Sequence, residues 1–148
     1  MIATASIAKH PLHPMLIPLP IGMWVFSLAC DVVALATDAV LWSGMAYYAM
    51  AGGLIGALLA ALPGLVDLVT MNASFVKRLG IWHGGINMLI VAMFAINLLW
   101  RRGGEPGAAG PVILSIVAVL LLAISGWLGG ELVYVHGVAV EPAERQKL

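Results

Sequence analysis

Charge is what this chain has least of. Of its 148 residues, 9% are Asp, Glu, Lys or Arg and 62% are hydrophobic, whereas a soluble domain carries about 25% charged residues. A water-facing surface cannot be built from that supply, and the mean hydropathy of +1.04 agrees. Seven basic residues balance seven acidic ones, so there is no basic footprint for nucleic acid. The single cysteine, Cys30, excludes an intramolecular disulfide and reads as a small core residue within an apolar run. Also missing are a Cys-x-x-Cys pair, a Walker loop, a Gly-x-Ser-x-Gly elbow and a His-Glu-x-x-His helix. Hydrolytic and nucleotide-driven chemistry therefore find no support. The N-terminus lacks the basic, apolar, small-residue order of a signal peptide, so the first apolar segment is expected to stay as a helix.

What is present is long apolar runs. Four of them are expected to form helices, over about 15–35, 45–69, 79–100 and 111–135. Each is long enough for a hydrocarbon core about 30 Å thick. Backbone groups must be paired inside lipid, so helices are the expected spanning form. The reading is all-α: an integral membrane four-helix bundle, one transmembrane domain over residues 1–148 in contact with the lipid bilayer. Trp42, Trp82 and Trp100 fall near expected boundaries, as an aromatic belt would, while Trp24 and Trp127 read as packing residues. Gly103, Gly104, Glu105, Pro106 and Gly107 form the clearest linker, and the tail after Val140 is polar. Lys9, Lys77, Arg78, Arg145 and Lys147 lie on one side, against Arg101 and Arg102 on the other. That count favours both termini in the cytoplasm.

The four histidines share one side of this topology. His10 and His13 precede the first span, His83 lies one turn inside the third, and His136 follows the fourth. Imidazole is the commonest metal-binding side chain, and ionisable groups within spans are costly and usually functional. Pro11 and Pro14 are expected to hold His10 and His13 extended. Pro18 and Pro20 should disrupt or kink the first turns of the first helix. The proline-rich segment either folds inward over the end of the bundle or is an interfacial lead-in with solvated histidines. His83 is either a ligand or a satisfied interhelical group, with Asn87 one turn on as its hydrogen-bond partner.

Asp67 and Glu131 lie in the last turns of the second and fourth spans. They read as solvated charges, as direct ligands, or as groups that orient an imidazole from behind. Small residues recur at four-residue intervals, Gly52, Gly56, Ala60 and Gly64 in one span and Gly126 and Gly130 in another. Such stripes let helices approach closely, and Gly56, Gly64, Gly126 and Gly130 would equally make room for a flat macrocycle. A pseudo-two-fold repeat of helix pairs is suggested by Leu58, Leu59, Ala60, Pro63, Gly64 and Asp67 against Leu121, Leu122, Ala123, Ser125, Gly126 and Glu131. Chance similarity is the alternative. The repeat would set His13 and His83 diagonally across the bundle.

His13 with Pro14, the Pro18 to Gly22 helix start, Asp31, Gly64 to Asp67, His83 with Asn87, and the Gly129 to Gly137 ending carry a likeness. With them the chain resembles an uncharacterised bacterial four-helix membrane protein family, domain of unknown function 2231. The resemblance covers nearly the whole chain. It implies a small redox protein crossing a bacterial inner membrane, with an iron–sulfur protein as the kind of partner.

Three functions compete. One is a b-type cytochrome, with His13 and His83 as axial ligands of haem b, Asn87 orienting an imidazole, and a quinone or iron–sulfur protein exchanging electrons. Another is a non-haem iron, zinc or copper site drawn from His10, His13, His83, His136, Asp67 and Glu131. The third is a non-catalytic membrane subunit with structural histidines. Further oligomerisation is left open.

Overall fold

The computed structural model describes residues 4–37, 39–72, 74–104 and 108–140. Glu105, Pro106, Gly107 and the tail after Val140, with Arg145 and Lys147, lie outside the described residues. A two-residue antiparallel pair opens the chain, β1 (Ser6–Ile7) with β2 (His10–Pro11). Then follow α1 (Leu12–Leu16), α2 (Pro18–Thr37), α3 (Val40–Thr70), α4 (Phe75–Arg101) and α5 (Ala109–Gly130), and a π-helical turn over Glu131–Val135. Four stretches are long and apolar enough to cross a membrane: Leu12–Thr37, Val40–Thr70, Phe75–Arg101 and Ala109–Val135. The all-α four-helix expectation holds. The helical stretches start two to five residues before the expected positions and finish within two residues of them, because hydropathy marks the apolar core of a helix and not its caps. Ser74, for example, accepts the Lys77 backbone N–H at 3.2 Å and starts α4 before the apolar run begins.

The prolines act differently from expectation at one position. His10 is extended, but His13 is helical within α1 despite Pro14. Pro14 sits in the first helical turn, where backbone N–H groups have no intrahelical acceptor and their loss costs little. Pro18 likewise occupies the first position of α2. Only Ile17 separates the two helices, and its N–H still donates to the His13 carbonyl at 3.1 Å.

The helices pack in a ring, α2 against α3, α3 against α4, α4 against α5 and α5 against α2. The core holds Trp24, Met50, Ile90, Phe94, Ala118 and Leu122. Trp24 stacks on Phe94 with ring centroids 4.4 Å apart, tying α2 to α4 across the diagonal. Its indole lies over Gly53, and its Nε1–H donates to the Met50 carbonyl at 3.3 Å. Large apolar side chains elsewhere point outward, as a lipid-facing surface requires. Trp127 is among them at 77% exposure. Its expected packing role is thus corrected: it lies on the outer wall.

The N-terminal hairpin docks on the end of α3. The Ala5 backbone N–H donates to the Asp67 carboxylate at 2.8 Å, and the Thr4 and Thr70 hydroxyls are 2.8 Å apart. His10 stays exposed and donates from Nδ1 to its neighbour, the Ala8 carbonyl, at 2.8 Å.

Candidate functional site

Two of the four histidines meet. His13 on α1 and His83 on α4 have ring centroids 6.3 Å apart and planes at 87°. Each ring is held by a backbone carbonyl of the following span, α3 for His13 and α5 for His83. His13 Nδ1 donates to the Ala60 carbonyl at 2.7 Å, and His83 Nδ1 to the Ser125 carbonyl at 3.0 Å. A carbonyl can only accept, so each Nδ1 carries the proton and each Nε2 keeps a lone pair.

The glycines explain how the rings reach those carbonyls. In a helix the carbonyl of residue i points toward residue i+4. A ring bonded to the Ala60 carbonyl therefore lies over residue 64, and one bonded to Ser125 lies over residue 129. Both are glycines. A Cβ on Gly64 would stand 2.7 Å from His13 Nδ1, and one on Gly129 would stand 3.2 Å from His83 Cε1. The two contacts are alike, in a register that differs from the one expected for a repeat of helix pairs. Gly64 matches Gly129, and Ala60 matches Ser125. The expected pairing of Gly64 with Gly126 was drawn to the nearer glycine in the sequence.

Around His83 a second set of bonds forms. The Asn87 amide nitrogen, with two hydrogens, lies within donor reach of three acceptors: the Ser125 hydroxyl at 2.7 Å, the His83 carbonyl at 2.9 Å and His83 Nε2 at 3.1 Å. The Ser125 hydroxyl also lies 3.1 Å from His83 Nδ1. Asn87 is one helical turn from His83, as the spacing required.

The other expected donors lie elsewhere. His10 is in the hairpin, and Asp67 binds the Ala5 N–H. Glu131 and His136 keep company with each other, His136 Nε2 lying 3.9 Å from Glu131 Oε1. Among the described residues, no group of three or more His, Cys, Asp or Glu side chains could hold one metal ion. The glycines do not form a smooth face either. Gly64 is taken by His13, Gly56 by Leu19 and Pro20, and Gly126 faces open space. Gly130 has only the Tyr134 ring near it.

The opposite end of the bundle holds a polar network that sequence reading largely missed. Arg101 makes a paired contact with Asp31, Nη1 to Oδ1 at 2.6 Å and Nη2 to Oδ2 at 2.7 Å. Its Nε donates to Asn97 Oδ1 at 2.9 Å. The Asn97 amide nitrogen donates to the Pro111 carbonyl at 2.8 Å and the Ser115 hydroxyl at 2.9 Å. Asp31, Asn97 and Ser115 are all buried. The available signal was an acid in the last third of one apolar span and an asparagine and arginine one turn apart in another.

The family model described as "Predicted membrane protein (DUF2231)" matches residues 9–142. No curated protein and no solved structure matches the chain. The chain therefore belongs to this predicted membrane protein family, and it is a membrane protein with four apolar helices.

Proposed function

We propose that this protein is a one-electron carrier in the membrane, in which His13 and His83 would hold a haem b. The observation that carries the reading is the pair of imidazoles, each with Nδ1–H fixed on a carbonyl and Nε2 left as a lone-pair donor. A ligating imidazole normally has its other nitrogen held in this way. The ring centroids stand 6.3 Å apart. Direct sharing of a proton would draw the centroids to about 5 Å. A resident zinc or non-haem iron centre, structural or catalytic, asks for three or four protein donors, whereas haem iron asks for one or two. Two are present at this pair.

The donor set fits haem, and the expected glycine-lined face does not contribute to the fit. Gly64 and Gly129 serve the imidazoles themselves. Bound there, haem would supply reversible one-electron chemistry. The chain's part is to fix the two rings, and to free His83 Nε2 from Asn87, whose remaining bonds to Ser125 and the His83 carbonyl keep its side chain in place. Electrons would pass to a quinone or an iron–sulfur protein. The lysine and arginine count favours both termini, and with them this end of the bundle, on the cytoplasmic side; in this reading the membrane is a bacterial inner membrane.

The test is a visible spectrum of protein made with ample haem, with metal analysis of the same sample. A Soret band lost in His83→Ala and lost or shifted to high spin in His13→Ala supports the reading. A second reading has its own observation: the imidazole-to-carbonyl bonds staple α1 to α3 and α4 to α5. Wild-type protein holding neither haem nor metal would favour those staples and overturn the carrier.

A further inference from the structure

The end of α5 departs from α-helical geometry over Glu131–Val135, where the backbone becomes a π turn. The His136 backbone N–H donates to the Glu131 carbonyl at 3.1 Å, five residues back. In an α-helix, side chains five apart point roughly 140° away from each other. The π turn instead brings the Glu131 carboxylate and the His136 imidazole to one face. Single π turns in helices occur frequently at functional sites.

What the turn brings together is incomplete. His136 Nε2 is buried and has no hydrogen-bond partner among the described residues. A buried polar atom without a partner is rare enough to need a cause. Glu131 Oε1 lies 3.9 Å from it, beyond hydrogen-bond reach. The Phe75 ring packs edge-on against the imidazole at 5.9 Å. Glu131 retains 37% side-chain exposure, so the pair opens to solvent on one side.

We propose that Glu131 and His136 form a divalent-cation site for a first-row metal of the zinc type, separate from the His13–His83 pair. Two metal–ligand legs of about 2.1 Å span up to about 4.2 Å, so one ion fits a 3.9 Å nitrogen–oxygen gap. Mixed imidazole and carboxylate donors suit zinc, and water fills the remaining positions from the open side. With two protein donors the site is exchangeable and not a structural zinc centre.

The test is calorimetric titration of Zn²⁺ into chelator-stripped, full-length protein in detergent. It reads no haem signal, so it stands apart from the carrier proposal. Wild type should take up one Zn²⁺ that E131Q and H136Q each weaken at least tenfold, while the H13Q/H83Q double variant keeps it. A circular-dichroism melt confirms folding of each variant. If H136Q fails to fold, E131Q, at a partly exposed position, carries the test alone. No Zn²⁺ uptake by wild type, or uptake indifferent to E131Q, overturns the site and leaves a bridging water between the two groups.

Discussion

The two ends of the bundle use the same seam in opposite ways. Along α4 and α5, an asparagine amide donates to a serine hydroxyl twice: Asn87 to Ser125 near the histidines, and Asn97 to Ser115 at the far end. The second pair lies ten residues further along α4 and ten residues back along α5, as antiparallel helices demand. What each asparagine supports differs. Asn97 accepts from Arg101, one turn ahead, and that guanidinium closes on Asp31. Asn87 donates to His83, one turn behind, a ring that faces a second imidazole. The far network spends the charge of its cation on a buried anion. The near cluster keeps a lone pair on the His13 ring, with no charged partner among the described residues. Pairing of charge with charge makes the far end a lock, and the spare lone pair is what the proposed carrier would use.

The largest expected effect breaks the lock. Asp31→Leu strands the Arg101 guanidinium, 12% exposed, without its anion, and removing one partner of a buried pair costs about 3–5 kcal/mol. Asp31→Leu combined with Arg101→Met removes both charges and should recover most of that loss. Thermal unfolding in detergent reads both. A single variant that melts like wild type would show that the far end is not the lock described.

The next effect compares the two glycines. Gly64→Ala sets a methyl 2.7 Å from His13 Nδ1, and Gly129→Ala sets one 3.2 Å from His83 Cε1. Overpacking typically costs about 1–3 kcal/mol, so Gly64→Ala should sit high in that range and Gly129→Ala low. The first should also pull His13 off the Ala60 carbonyl, which a shift in the His13 Nδ1–H resonance would report. Equal effects of the two would contradict the unequal fit of the rings.

These effects also show what a sequence reveals. The spans were legible because lipid imposes length and hydropathy on every one of them. The His83–Asn87 bond was legible because it is local, one helical turn. Asp31 with Arg101 was not, because the partners are far apart in the chain and the basic residue had been assigned to an orientation count. Gly129 was passed over in favour of Gly126 and Gly130 because a four-residue stripe describes helix packing. The rule that matters here is the reach of a side chain to a carbonyl four residues before a glycine. Asp67 was expected beside a histidine from its depth alone. Depth fixes a level in the bundle but not a direction, and the Ala5 N–H occupies its carboxylate.

The smallest effect is the sharpest test of the comparison, because it makes one substitution at both ends. Asn97→Leu removes the acceptor of Arg101 Nε and a donor to Ser115 in a fully buried place. Groups left unpaired in this way cost about 1–3 kcal/mol. Asn87→Leu removes a donor from His83 Nε2, but the ring keeps its Nδ1 bond to the Ser125 carbonyl, and Asn87 is only half-buried. Hydrogen bonds between membrane helices average about 0.6 kcal/mol, so this variant should lose about that much. Its signature lies elsewhere. With the amide gone, the His83 Nε2 lone pair is bare, and its ¹⁵N resonance should move downfield while Nδ1 stays protonated. If the carrier proposal holds, haem affinity should rise, because the iron no longer competes with an amide for that nitrogen. Asn87→Leu destabilising the protein as much as Asn97→Leu, with no change at Nε2, would make both ends locks and remove the distinction.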